Sequence, residues 1–314
     1  MKIENRVTQM LGVDYPIVQA PMGWIARSQL ASAVSNAGAM GMIETSSGEN
    51  DAVSAEILKM RELTDKPFCV NIAQAYLRDP SIIDFIIDQG VKTVTTSAGN
   101  PMKFTEKLKT AGLTVFHVVP TLQAAKKAVE AGVDGLIVEG GEGGGFKNKR
   151  DVSTMVLLPL VRSQVEVPII AAGGISDGVS MAAAFALGAE GVQMGTRMVS
   201  AAESPVHGNW KQAIVEAPDT GTIMLKPEQG AALRVLRTET TEQLEASGEN
   251  PMMALAGGVK EVYFEGKLEA GIALTGQVAG RIEAVLSVAD IVARTMSEFE
   301  ETIARLADTY RAQP

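Results

Sequence analysis

Two glycine turns carry the chemistry most open to reading in this chain. Gly173 and Gly174 follow the apolar run Pro168 to Ala172, and Gly195 and Thr196 follow Glu190 to Met194. Without a Cβ, backbone amides can close on a ligand. Two amide-rich turns with a hydroxyl make an anion cradle, to which a helix amino terminus adds a favourable dipole. Ser176 can cap the helix after the first turn, and Gly188 can end it in a left-handed conformation. Candidate proton-moving groups are few. His117 ends the run TVFHVVP, and Glu142 sits in the glycine-rich line EGGEGGG. His207, the second of two histidines, reads as structural. Asn71, a polar amide ending an apolar strand, needs a partner inside a barrel. Lys147, Lys149 and Arg150 form a basic cluster suited to an anionic substrate, a CoA phosphate or NAD(P)H, or simply to a solvated loop.

The elements that must hold these groups repeat along the chain. A helix ending in Ala-Gly or an equivalent, a short link and then an apolar strand recur before GMIET, KTVTTSAG, TVFHVVP, DGLIVEGG and EGVQMGT. The strands PIVQAPM, PFCVNIA and PIIAAGG raise the count to eight by about residue 195. Strand and helix alternating in this way predict a TIM-type (β/α)8 barrel, in which the loops after the seventh and eighth strands hold phosphate. After the eighth strand the pattern lapses. Residues 204–271 are expected to form a helical insertion, acting as a lid over the active face or as a dimer surface. Residues 1–203 and 272–314 form the barrel, closed by an amphipathic helix from Val285 to Tyr310.

Composition narrows the partners. The net charge of −9 and pI near 5.0 leave no electrostatic footprint for nucleic acid or an anionic membrane. One cysteine, Cys69, excludes an intramolecular disulfide and a cysteine metal cluster, and the two histidines lie too far apart for a local metal motif. The start of the chain lacks a charged-then-apolar signal and no run reaches membrane-spanning length, so the expected compartment is the cytoplasm.

The motifs PIVQAPMGWIA, PFCVNIA, GVDGLIVEGGEGGG, PIIAAGGISDG, GVQMGTRMVSAAES and LTGQVAG occur in that order over nearly the whole chain. In this the sequence resembles the FMN-dependent nitronate monooxygenases (2-nitropropane dioxygenases), a family that also contains enoyl-acyl-carrier-protein reductase II and NADH:quinone reductases. The resemblance implies noncovalent FMN across the barrel mouth. Ala20, Pro21 and Met22 would lie along the ring, Asn71 would bond its polar edge, and Met22 would also meet substrate. Gly173, Gly174, Gly195 and Thr196 would hold the phosphate, with Gln193, Met194, Glu139 and Gln277 as further cofactor contacts.

One position departs from the family. Its usual line after the sixth strand is glutamate, a spacer, Gly-Gly and then a histidine that serves as acid or base over the flavin. Phe146 stands at the histidine's place here. Phenylalanine moves no proton, which counts against deprotonation of a neutral nitroalkane and against a standard enoyl reductase. The expected function is an FMN-dependent oxidoreductase of the nitronate monooxygenase type that oxidises an already anionic alkyl nitronate with oxygen. The alternatives are NAD(P)H-dependent reduction of an enoyl thioester, enone or quinone, with Phe146 making an apolar pocket and Lys147 meeting substrate, and a flavin-binding barrel without activity. His117 and Glu142 are the candidates to replace the histidine. Inosine-monophosphate-type dehydrogenases share the glycine-pair barrel but need a loop cysteine, a role that Cys69, inside a strand, does not suit.

Overall fold

The computed structural model describes residues 2–310. Eight parallel strands form the central sheet: β1 (Ile17–Gln19), β2 (Gly41–Ile43), β3 (Phe68–Ala73), β4 (Thr93–Ser97), β5 (Thr114–Val119), β6 (Gly135–Glu139), β8 (Ile169–Ala172) and β9 (Gly191–Met194). Their order is β1-β9-β8-β6-β5-β4-β3-β2. A bridge between Val18 and Met40 joins the two ends and closes the barrel, with Gln19 N donating to Met40 O at 3.0 Å. All eight strands are those expected from the repeat. They are apolar on both faces because one face fills the barrel and the other packs on helices.

Period-two alternation sorts the side chains. Val18, Met40, Met42, Cys69, Phe116, Ile137, Ile170 and Ala172 pack together inside the barrel. The helix Arg6–Leu11 contributes Val7 and Leu11 to this inner cluster and plugs the amino-terminal end. Gly135 is required here, since a Cβ on it would sit 2.3 Å from the Phe116 ring. The strands' other faces join the larger cluster beneath the helices: Ile43, Val70, Ile72, Val94, Val115, Val119, Leu136, Val138, Val192 and Met194. Filling the floor with bulky side chains leaves the carboxyl ends of the strands as the place where polar groups gather.

The segment after β9 differs from the helical insertion expected. It holds the helices Gly208–Glu216, Glu239–Ser247 and Met252–Val259, but also an antiparallel hairpin of β10 (Thr222–Leu225) and β11 (Ala232–Leu236). Strand β11 pairs in turn with β7 (Gly145–Lys147), which lies in the loop after β6, setting Leu233 opposite Phe146. Ile223, Leu225, Leu233 and Val235 share a small apolar core with Leu255 and Ile272. The chain then returns through Gln277–Arg281 to the long helix Val288–Tyr310. That helix lies so close to Gly178 that a Cβ there would stand 2.2 Å from Phe299 N. No helix among the described residues is long and apolar enough to cross a membrane.

Candidate active site

The carboxyl ends of β6, β8 and β9 meet the returning segment in one hydrogen-bonded knot. Gly173 and Gly174 have φ of 87° and 80°, in the left-handed region that favours glycine. Gly276 N donates to Thr196 Oγ1 at 2.8 Å, and Gln277 N donates to Glu142 O at 2.9 Å. At Gly195 a Cβ would meet only Ala20 Cβ, at 3.5 Å, so the space beside it is open. Ala20 N donates to Met194 O at 2.9 Å, which carries the Ala20-Pro21-Met22 line along the end of β9. Gln277 is exposed at this knot, and Met22 packs its half-buried side chain on the helix-facing core.

Inside the mouth, Asn71 is fixed by its neighbours on β4: its amide donates to Thr95 Oγ1 at 2.8 Å and lies 3.3 Å from Ser97 Oγ. Gln193 is buried on β9, and its Oε1 has no protein partner. Gln74, just past β3, leaves both its side-chain polar atoms in the same state. A buried, unpaired amide is expensive, so such groups at a barrel mouth fit a polar ring that would pair with them. Together with the turns at Gly173–Gly174 and Gly195–Thr196, these polar groups fit a flavin that carries a phosphate.

Three sequence expectations are corrected here. His117 was expected at the active face. It instead shares its side of β5 with Val115 and Val119, beneath the helices, opposite in parity to the inward Phe116. Its Nδ1 lies 2.6 Å from Thr96 Oγ1, and burial lowers its pKa to about 4, so at neutral pH it is an uncharged packing group. Glu142 was a candidate acid or base, but its carboxylate is taken up by Thr154. The Thr154 backbone N lies 2.9 and 3.0 Å from its two oxygens, and the Thr154 hydroxyl 2.9 Å from Oε2. It thereby serves the open end of the helix Thr154–Arg162, where Ser153 makes no side-chain cap. Met194 was expected on the cofactor wall; its side chain is wholly buried in the helix-facing core, and only its backbone carbonyl, accepting from Ala20, reaches this edge.

Lys147, expected to meet substrate, is likewise turned inward. Its ammonium is buried against the carboxylate of Glu139, the last residue of β6. Lys149 Nζ donates to Glu228 O at 2.7 Å, while Arg150 stays exposed. Phe146 is partly exposed, and its ring centre lies 5.3 Å from that of Tyr76, which follows β3. β6 and β3 stand three places apart around the barrel, so this aromatic pair joins the loops that follow two strands that are not neighbours. His207 accepts from Asn209 N at 3.1 Å and caps the helix Gly208–Glu216, as a structural residue does.

Several residues at the mouth escape sequence reading. Glu44, fully buried at the end of β2, pairs with Arg27 at 2.9 Å and accepts from Ser46 Oγ and Ser47 N. It also receives Trp24 N at 3.3 Å, steadying a residue held at φ 62°. Arg234 on β11 donates through Nε to Gly141 O at 2.8 Å, tying the hairpin to the glycine-rich loop. Burial lowers its pKa. A carboxylate ending the apolar run GMIET was the available signal for Glu44; Arg234 gave none, because its strand read as helix. Among the described residues, no group of three or more histidine, cysteine or acidic side chains could hold a metal ion.

A closed parallel barrel with glycine turns after its last two strands and a polar mouth is the arrangement of the phosphate-binding TIM-barrel enzymes. The chain belongs to the nitronate monooxygenase family, whose profile matches residues 4–81 and 75–298. FabK from Thermotoga maritima superposes with a TM-score of 0.92 at 40% identity, over 98% of this chain and 99% of that one. Among curated relatives, the (3aS,4S,5R,7aS)-5-hydroxy-7a-methyl-1-oxo-octahydro-1H-indene-4-carboxyl-CoA dehydrogenase of Mycobacterium tuberculosis is 36% identical, covering 78% of this chain and 70% of that protein. A probable nitronate monooxygenase of Staphylococcus saprophyticus is 32% identical, covering 76% and 80%.

Proposed function

We propose that this chain is an FMN-dependent oxidoreductase acting on a conjugated acyl group, with an enoyl thioester first and an enone or quinone as related acceptors, and with NAD(P)H as the electron donor. The observation that carries the reading is the aromatic pair formed by the loops after β6 and β3. Phe146 lies against Tyr76, while Glu142 is taken up by Thr154 and His117 lies beneath the helices. A flat, apolar, conjugated substrate suits an aromatic wall, and its reduction needs no side chain to remove a carbon-bound proton. The name of one curated relative, a dehydrogenase of a carboxyl-CoA, supports a CoA thioester as substrate.

Bound FMN would supply reversible two-electron transfer between donor and acceptor. The chain's own residues bind and orient. Gly195 and the Gly173–Gly174 turn offer amides to the phosphate, and Gln193 and Asn71 offer amide groups to the ring's polar edge. The aromatic pair keeps water from one side of the mouth. Reduction of an enoyl group then takes a hydride equivalent from NAD(P)H and one proton from solvent. Residues 204–271 would form a lid over the mouth, acting through the β7–β11 pairing, and the barrel residues 1–203 and 272–314 would hold the cofactor.

Oxidation of a preformed alkyl nitronate anion by oxygen is the second reading. It is favoured by the family and by the same lack of a placed base, since the anion has already lost its proton. Anaerobic stopped-flow reduction of the flavin by NADH, NADPH and propyl-2-nitronate in parallel separates the two. Fast reduction by NAD(P)H, followed by reoxidation on adding an enoyl-CoA, is expected. Reduction by the nitronate alone would overturn the first reading in favour of the second.

A further inference from the structure

A cavity of about 440 Å³ lies behind the two glycine turns, on the helix-layer side of the barrel wall. Its walls come from residues just past each turn and from the segment leading into the long carboxyl-terminal helix. This volume is within the range of small-molecule sites. The unusual feature is its charge. Arg197 is only 6% exposed, and its one hydrogen-bond partner among the described residues is Ala284 O, reached from Nη2 at 2.9 Å. Its Nε is buried and has no partner among the described residues. Arg294, from the carboxyl-terminal helix, lines the same cavity with an exposed side chain and lies near enough to act on Arg197. Burial first and this neighbouring cation second push the Arg197 pKa down to about 10, leaving it charged at neutral pH.

Two of the three carboxylates on the same walls, Asp177 and Glu298, are engaged elsewhere. Asp177 caps its helix through Ser180 N at 2.8 Å and pairs with Arg281 at 2.6 Å. Glu298 accepts from Gly178 N at 3.0 Å. Glu283 sits exposed in the segment that forms one wall. Two guanidinium groups are thus left facing one space in a protein whose net charge is −9. A buried guanidinium with an unfilled donor and a like charge beside it is unfavourable unless an anion completes the set.

We propose that this cavity is a second ligand site, which takes the phosphoryl group of a small phosphorylated molecule between Arg197 and Arg294. The site is separate from the flavin phosphate turns. It does not include Gly173, Gly174, Gly195 or Thr196 in its lining. Arginine pairs suit a phosphoryl group because each presents a planar fork of donors and stays charged.

The test uses the FMN-saturated protein, titrated calorimetrically with sodium pyrophosphate and with AMP at constant ionic strength, with sodium chloride as the blank. Saturable one-site binding of either probe is expected. Arg294→Gln, which removes an exposed side chain, should weaken it at least tenfold with flavin content unchanged, and Arg294→Lys should recover part of the affinity. Absence of saturable binding by both probes would overturn the proposal, as would equal affinity in Arg294→Gln. Loss of FMN from Arg294→Gln would also overturn it, by showing that the cavity is part of the flavin site. Because flavin content is read separately, failure here is distinguishable from failure of the proposed reaction.

Discussion

Lys147 folds back over the glycine-rich loop to rest its ammonium on the carboxylate of Glu139, eight residues earlier. The pair lies close against Gly143, where a Cβ would stand 2.6 Å from Glu139 Oε1 and 2.7 Å from Lys147 Nζ. Lys147→Met should leave Glu139 without its counterion and disorder this loop. Breaking a largely buried pair costs up to about 3–5 kcal/mol, less here because Glu139 is partly exposed. Thermal unfolding of Lys147→Met, Glu139→Gln and the double variant checks it: the double should be more stable than the sum of the singles implies.

His117 gives the protein an acid limb in its stability. Its folded pKa of about 4 lies below its ordinary 6.5, so between these values the unfolded chain binds a proton that the folded one refuses. Stability is therefore fully present above pH 6.5 and falls as pH drops towards 4, by about 3 kcal/mol in all. Urea unfolding at stepped pH should show this slope, and His117→Gln should flatten it. If His117→Gln instead abolished turnover in folded, flavin-loaded protein, the residue would have a role that its position beneath the helices does not suggest.

Glu142 should behave as a helix anchor. Glu142→Gln keeps an acceptor for Thr154 N but loses the negative charge at the helix's amino end, a loss of about 1 kcal/mol. The rate of flavin reduction should stay within a few-fold of wild type. A fall of a hundredfold or more, with a changed pH profile, would return it to the role of acid or base.

Gly195→Leu should yield folded protein without flavin. Its φ of −99° is open to any residue, and the added carbon would meet only Ala20, yet it would fill the space from which a phosphate approaches the amides. FMN content after reconstitution, together with circular dichroism, decides this. A yellow Gly195→Leu protein with wild-type affinity would place the phosphate elsewhere.

Phe146 makes the remaining test. Any activity on nitro compounds should favour the anionic nitronate over the neutral nitroalkane by about a hundred- to ten-thousand-fold, the usual worth of general-base assistance. Turnover with each form supplied separately measures it. Comparable rates would mean that a base operates at this mouth, and Phe146→His should raise the neutral substrate's rate if the loop holds the imidazole where it holds the phenyl ring.

The barrel was legible because each parallel strand is a continuous apolar run entered from an Ala-Gly helix end. That same continuity hid the direction of His117. In TVFHVV both faces of the strand are buried, so alternation leaves no polar trace to show which side chains point inward. The turns at Gly173 and Gly195 were readable since glycine is needed for backbone geometry or access. The hairpin was not. Its strands are four and five residues long, and ALRVL beside TETTEQLEAS carries leucines and charged residues that also suit a helix. Arg234 and the pairing of Phe146 were lost with it.

The pairing of β7 with β11 makes the loop over the mouth a composite of two stretches separated by more than eighty residues of chain. On the proposed reading, substrate preference in this barrel would be inherited in two pieces. Moving residues 140–150 alone into a relative would transplant a strand without the neighbour that gives it register, and the acceptor would have to receive the hairpin in the same exchange. Shuffling by single crossovers separates these pieces, whereas a double exchange that spares the barrel between them keeps them matched.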